Sequence, residues 1–195
     1  MVALDEIKVL LDSNQNLSNE LKDNIYGLID LFHKKYPEVS LDNLKRLLGT
    51  LKIEKSNKFI NKRISKYNLG TNVIEFNIDR INEGYDMKHA LMFELLNVIT
   101  NNGIQVGFNF NNKFEALNAG YTEILTNNLV GNDSDMENLV SEVVTTNLLG
   151  IMVGNEVLFK AYFNNDTTLL VNALENEGIE LSENDSKQRS WTKWM

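Results

Sequence analysis

The chain has 195 residues and a net charge of −8, with 43% hydrophobic and 24% charged residues and no cysteine. That length and apolar content suit one globular domain and exclude a largely disordered chain. The cysteine count excludes disulfides, thiolate metal sites and thiol nucleophiles, and with only His33 and His89 a three-histidine metal site within one chain is excluded too.

Residues 1–49 read as a helical lead-in. Over 18–35 the apolar positions Leu21, Ile25, Leu28, Ile29 and Phe32 recur at helical spacing, with Ser18 as N-cap. Pro37, the single proline, stops that helix, and Ser40 is placed to cap a short one over 41–48 that ends near Gly49. The character changes at Thr50. Residues 50–55, 59–67 and 72–79 are expected as three short strands within a strand region spanning 50–80. NVIEFNID alternates Ile74, Phe76 and Ile78 against Glu75 and Asn77.

Basic residues gather here: Lys45, Arg46, Lys52, Lys55, Lys58, Lys62, Arg63 and Lys66 stand against one acid, Glu54. Lysines on a solvated sheet edge discourage strand-to-strand association, which accounts for the run. The other reading makes Lys52, Lys55, Lys58, Lys62, Arg63 and Lys66 a contact patch for an acidic partner.

Helices resume over 86–178. The periodicity predicts them at 86–101, 114–128, 135–153 and 154–163, with a last one capped by Asp166 and ending at Gly178. The third carries Met136, Leu139, Val140, Val143, Val144, Leu148 and Ile151 as a wide apolar stripe, the pattern of a core-facing helix. Asp133, Asp135 and Glu137 precede it; their spacing lacks the glycine and later glutamate of an EF-hand, so they read as a helix-start acid cluster. Residues 1–181 are thus one domain, followed by a polar tail over 182–195 in which Trp191 and Trp194 offer anchors to the surface. The order of elements is α+β: a small early strand layer packed on a mainly helical body.

The charge is uneven. Residues 1–70 hold 12 Lys and Arg against 9 Asp and Glu, whereas residues 71–195 hold 7 against 18. The acidic part would be repelled by phosphates, which disfavours direct nucleic-acid binding. No run of apolar residues is long enough for a membrane span and no export signal leads the chain, so a soluble cytoplasmic protein is expected. Asparagine occurs 29 times, which reads as AT-rich coding DNA.

The helix 86–101, DMKHALMFELLNVITN, is apolar on nearly all sides and belongs in the centre of the fold. Glu94 interrupts it. A buried carboxylate is costly unless paired or used. Periodicity alone places Glu94 on a narrow wet strip with Asn97 and Asn101.

FELLNVIT followed by EALNAGYTEILT resembles the active-site region of the zincin metallopeptidases, in particular the gluzincin branch that includes thermolysin. In that family HExxH supplies two zinc-binding histidines and a general-base glutamate. A second helix beginning N-E-G-x-x-E/D supplies the third ligand and an acid that buttresses a histidine. The resemblance covers about 35 residues, 92–126. It places the ligand positions at Phe93, Asn97 and Ala119, the general base at Glu94 and the buttressing acid at Glu123.

Phenylalanine and alanine have no donor atom, and asparagine offers only a neutral carbonyl oxygen. The resemblance therefore implies a zincin-like domain without its zinc, with Glu94 and Glu123 vestigial and no metal or other cofactor. It implies that Phe93 fills the former metal cavity and that Asn97 hydrogen-bonds Glu123 across the two helices. A site shifted to His89 lacks a second and third ligand, so that histidine is expected to make an ordinary polar contact. No nucleophile elbow, glycine-rich phosphate loop or aromatic-and-basic single-strand platform is present.

Two functions follow as expectations. One is a catalytically inactive pseudo-metallopeptidase that binds an unidentified protein or peptide in the old cleft, by edge-strand addition. The other is an acidic inhibitor of the phage or plasmid type, seated in the basic groove of a nucleic-acid enzyme. Oligomeric state is left open by composition and pattern alike.

Overall fold

The computed structural model describes residues 2–57, 59, 63–110, 113–131 and 139–178. Lys58, Lys62, the Asp133–Asp135–Glu137 cluster and the 182–195 tail with its two tryptophans lie outside the described residues.

Three helices open the chain: α1 (Val2–Ser13), α2 (Asn19–Lys35) and α3 (Asp42–Leu48). Ser18 caps α2, its hydroxyl accepting from the Leu21 N–H. Ile25, Leu28, Ile29 and Phe32 turn inward from α2 as their spacing requires. Ser40 Oγ accepts from the Asp42 N–H at the start of α3.

The strands follow as β1 (Lys52–Ser56), β2 (Ser65–Asn68) and β3 (Val73–Asn77), in sheet order β1-β3-β2. β1 runs parallel to β3 and β2 antiparallel to it. The register sets Ile53 and Tyr67 beside Ile74 on the core face, and Glu54 and Lys66 beside Glu75 on the other. β2 covers 65–68; of the expected 59–67, residues 59, 63 and 64 are not strand and 60–62 lie outside the described residues. β3 stops before Ile78 because the Asn77 side chain accepts from the Asp79 N–H and starts a short helix, α4 (Ile78–Asn82).

α5 (Met87–Thr100) is the central helix. Asp86 caps it, and α2, α3, α6, β2 and β4 surround it. From His89 to Thr100 every residue except Phe93 is buried. A hairpin of β4 (Gln105–Val106) and β5 (Asn109–Phe110), absent from the sequence reading, connects α5 to α6 (Glu115–Val130). Then come α7 (Val140–Val153), α8 (Asn155–Phe163) and α9 (Thr167–Asn176), the last capped by Asp166. The result is mixed α+β, predominantly helical with a small sheet.

Asparagine has a structural part that composition does not disclose. Asn14, Asn72, Asn77, Asn97, Asn101 and Asn118 are buried. Asn14 Nδ2 donates to the Leu48 and Leu51 carbonyls, joining the end of α1 to the turn before β1. Asn77 Nδ2 reaches the Arg63 carbonyl, and Asn101 Nδ2 donates to the Tyr67 hydroxyl. Buried backbone carbonyls need such donors, and a short amide side chain supplies them at little entropic cost.

Candidate functional site

Glu94 lies on α5 beneath the edge strand β2 and is 2% exposed. Ser65 Oγ of β2 donates to Oε1 at 2.8 Å, and Asn97 Nδ2, one turn along the same helix, donates to Oε2 at 2.9 Å. Asn118 Nδ2 of α6 then donates to Asn97 Oδ1 at 3.4 Å, and the Phe108 N–H donates to Asn118 Oδ1 at 2.9 Å. One hydrogen-bonded chain therefore crosses from the sheet, through two helices, to the β4–β5 turn. Gly107, at φ +52, lets that turn approach; a Cβ there would overlap Asn118 Oδ1 and the Tyr162 ring.

Burial pushes the Glu94 pKa above the ordinary carboxylate range. Hydrogen bonds from Asn97 and Ser65, the charge of Arg63 and the Tyr67 N–H oppose that rise. The polar strip expected on α5 is real, but it is dry: Glu94, Asn97 and Asn101 are all buried.

A second buried cluster lies farther along the α5–α6 seam. His89 Nε2 is 3.3 Å from Glu123 Oε1 and 3.2 Å from Asn127 Oδ1, and Asn127 Nδ2 donates to Glu123 Oε1 at 3.1 Å. Glu123 Oε2 is buried with no hydrogen-bond partner among the described residues.

These contacts correct two expectations. Asn97 does not bond Glu123; its amide is committed to Glu94 and Asn118, and Glu123 takes His89 and Asn127 instead. The antiparallel pairing of α5 with α6 explains this, since Asn97 meets Asn118 and the earlier His89 meets the later Glu123 and Asn127. Nor does Phe93 fill an interior cavity. It is half-buried and lies outside the packed apolar cluster. Ala119 is buried on α6, next to Asn118.

Phe93 and Ala119 bring no donor atom, and both polar atoms of the Asn97 amide are already engaged. These residues do not fit a zinc ion, which needs about three strong donors in a fixed geometry. Among the described residues no three histidine, aspartate or glutamate side chains cluster as a metal site.

The basic positions divide over the sheet. Lys52 and Lys55 are exposed on edge strand β1, and Lys66 on edge strand β2. Arg63 precedes β2 and pairs with Glu115 at 3.3 Å. Lys66 lies opposite Glu75, which has Glu54 on its other side, so the outer face carries both signs of charge.

Comparison with protein-family models, with curated proteins and with solved structures finds no match. The site therefore rests on its own geometry. Among the described residues no helix is long and apolar enough to cross a membrane.

A further surface was misread from sequence. The apolar stripe of α7 does not turn inward as a whole. Val143, Thr146, Leu149 and Gly150 are buried, whereas Val140, Val144, Leu148, Ile151 and Met152 are exposed. The available signal was that α7 has a single charged residue, Glu142, and that its polar residues Ser141, Thr145, Thr146 and Asn147 are spread around the helix, so periodicity could not select the inner face.

Proposed function

We propose that the chain is a catalytically inactive, zincin-like protein that acts by binding another protein or a peptide. One observation carries the proposal. The carboxylate at the family's general-base position is sealed under β2 with both oxygens hydrogen-bonded. A general base must reach the proton it removes, through a substrate pose or one water. Glu94 instead faces a serine and an asparagine of its own chain. Two further features support the reading: ligand positions 93, 97 and 119 lack strong donors, and Glu123 pairs with a histidine, His89, one turn before position 93.

Metal titration tests both halves of the proposal. The wild-type chain should show no stoichiometric zinc binding by calorimetry. The triple variant Phe93→His, Asn97→His, Ala119→Glu should gain zinc affinity while keeping its helical circular dichroism. Zinc at one per wild-type chain, or peptide hydrolysis abolished by Glu94→Gln, overturns the inactive assignment. A folded triple variant that gains no affinity overturns the zincin-like scaffold. Binding itself is read by isolating native complexes: a reproducible peptide or protein partner is expected, and a nucleic-acid enzyme as partner would replace this reading with the acidic-inhibitor one.

A further inference from the structure

The inner side of α7 packs on α6, α8 and α9. α6 comes unusually close, because Gly120 presents no side chain to the Glu142 carbonyl and Thr146. Among the described residues nothing covers the outer side. Val140, Val144, Leu148, Ile151 and Met152 are 49%, 46%, 56%, 79% and 47% exposed. Their spacing of four, four, three and one residues places them on a single stripe. Together they present on the order of 500 Å² of apolar surface, in the range that marks interaction sites on soluble proteins.

We infer that this stripe is a self-complementary interface and that its occupant is a second copy of the chain. Area is the first reason. Two stripes face to face remove on the order of 1,000 Å² from water, the size at which specific interfaces begin. Charge is the second. Each copy carries −8, so two copies repel except where charge is missing. The α7 stripe is such a place: all five of its residues are uncharged, and Glu142 is the single charged residue of the helix. A strongly charged partner would find almost nothing to pair with there.

The helix dipoles set the direction. Parallel pairing would align the two helix dipoles, which is unfavourable. Antiparallel pairing about Leu148 opposes the dipoles. The two-fold axis then passes near Leu148, with Val144 of each copy facing Met152 of the other. This interface does not depend on whether the buried Glu94 site under β2 was ever catalytic.

Sedimentation of the full chain tests it. A species of twice the 22.3 kDa chain mass is expected at micromolar concentration. Leu148→Glu and Ile151→Glu should each shift it to the single-chain mass with unchanged circular dichroism. Because the chain has no cysteine, placed cysteines report geometry directly. Leu148→Cys should cross-link to itself, and Val144→Cys should cross-link to Met152→Cys in a mixture more readily than to itself. A full chain that stays single at all concentrations overturns the inference, as does a dimer that survives both glutamate substitutions. A single chain in which Ile151→Cys resists alkylation overturns it too, and assigns the stripe to a covering segment of the same chain. Zinc binding by a chain that still dimerises through Leu148 would remove the inactive-peptidase proposal and leave this interface standing.

Discussion

His89 of α5 and Glu123 of α6 face each other in the interior, Nε2 to Oε1 at 3.3 Å, each 1% exposed. Asn127 touches both. The pair joins the two central helices with polar contacts, a second link beside the Asn97–Asn118 bond of the same seam, and in a low-dielectric interior such contacts are costly to break. Glu123→Ala should cost about 2–4 kcal/mol in urea unfolding, because it withdraws the acceptor from buried His89 and half-buried Asn127 at once. A double-mutant cycle with His89→Ala should give a coupling of about 1–3 kcal/mol. Strict additivity would show that the two side chains do not act together.

Glu94 makes stability depend on pH in a definite direction. Burial raises its pKa above the ordinary carboxylate value, so the folded state holds the proton more tightly than the unfolded chain does. Its contribution is full below the unfolded value and is lost as pH rises through the folded one. Glu94→Gln has nearly the same shape and cannot ionise. Relative to it, the wild type should lose stability as pH climbs from the ordinary carboxylate range through the raised value, and run parallel to it above. Urea melts across that range check this, and a difference that does not change with pH removes the argument.

Asn72 occupies the left-handed region at φ 55, just before β3, and is buried. Its Nδ2 donates to the Leu47 carbonyl at 2.8 Å and to Thr50 Oγ1 at 2.9 Å, and its Oδ1 accepts from the Tyr67 hydroxyl at 3.0 Å. Asn72→Ala loses all three bonds and keeps the strained backbone, a loss of about 3 kcal/mol. Asn72→Gly loses the same bonds but tolerates the conformation, so it should be the milder change by about 1 kcal/mol. Thermal melts of the two variants give the order, and alanine proving milder would contradict the account.

Gly120 sets the approach of α6 to α7. Helix propensity alone favours Gly120→Ala by about 1 kcal/mol. The added methyl, however, would run into the Glu142 carbonyl and sit 2.5 Å from Thr146 Oγ1, and overpacking of this kind costs about 1–3 kcal/mol. The clash is with backbone as well as side chain, so it wins, and a net loss is expected. Combining it with Thr146→Ala should recover only part, since the carbonyl remains. Full recovery would mean that only the hydroxyl stood in the way.

Local signals in the sequence were reliable where the physics is local. Ser18 and Asp166 cap their helices because a cap needs only a side-chain oxygen within three residues of an unbonded N–H. α5 was legible as the centre because a helix apolar on all sides has nowhere else to go. The same rule failed for α7. Both helices lack a polar face, but among the described residues α5 has neighbours on every side, whereas α7 has them on one.

The candidate site was legible only in part. The sequence by itself determined that Glu94 interrupts an apolar helix and must find partners, that Phe93 and Ala119 cannot hold a metal, and where most helices begin. The tertiary structure decided that Ser65, 29 residues away, would be one partner. It also decided that Glu123 would take His89 and not Asn97, and that abundant asparagine would hold buried turns together. The reason is physical: propensity and capping are set within a few residues, whereas the partner of a buried polar group is whatever the packing of distant segments brings within hydrogen-bond reach.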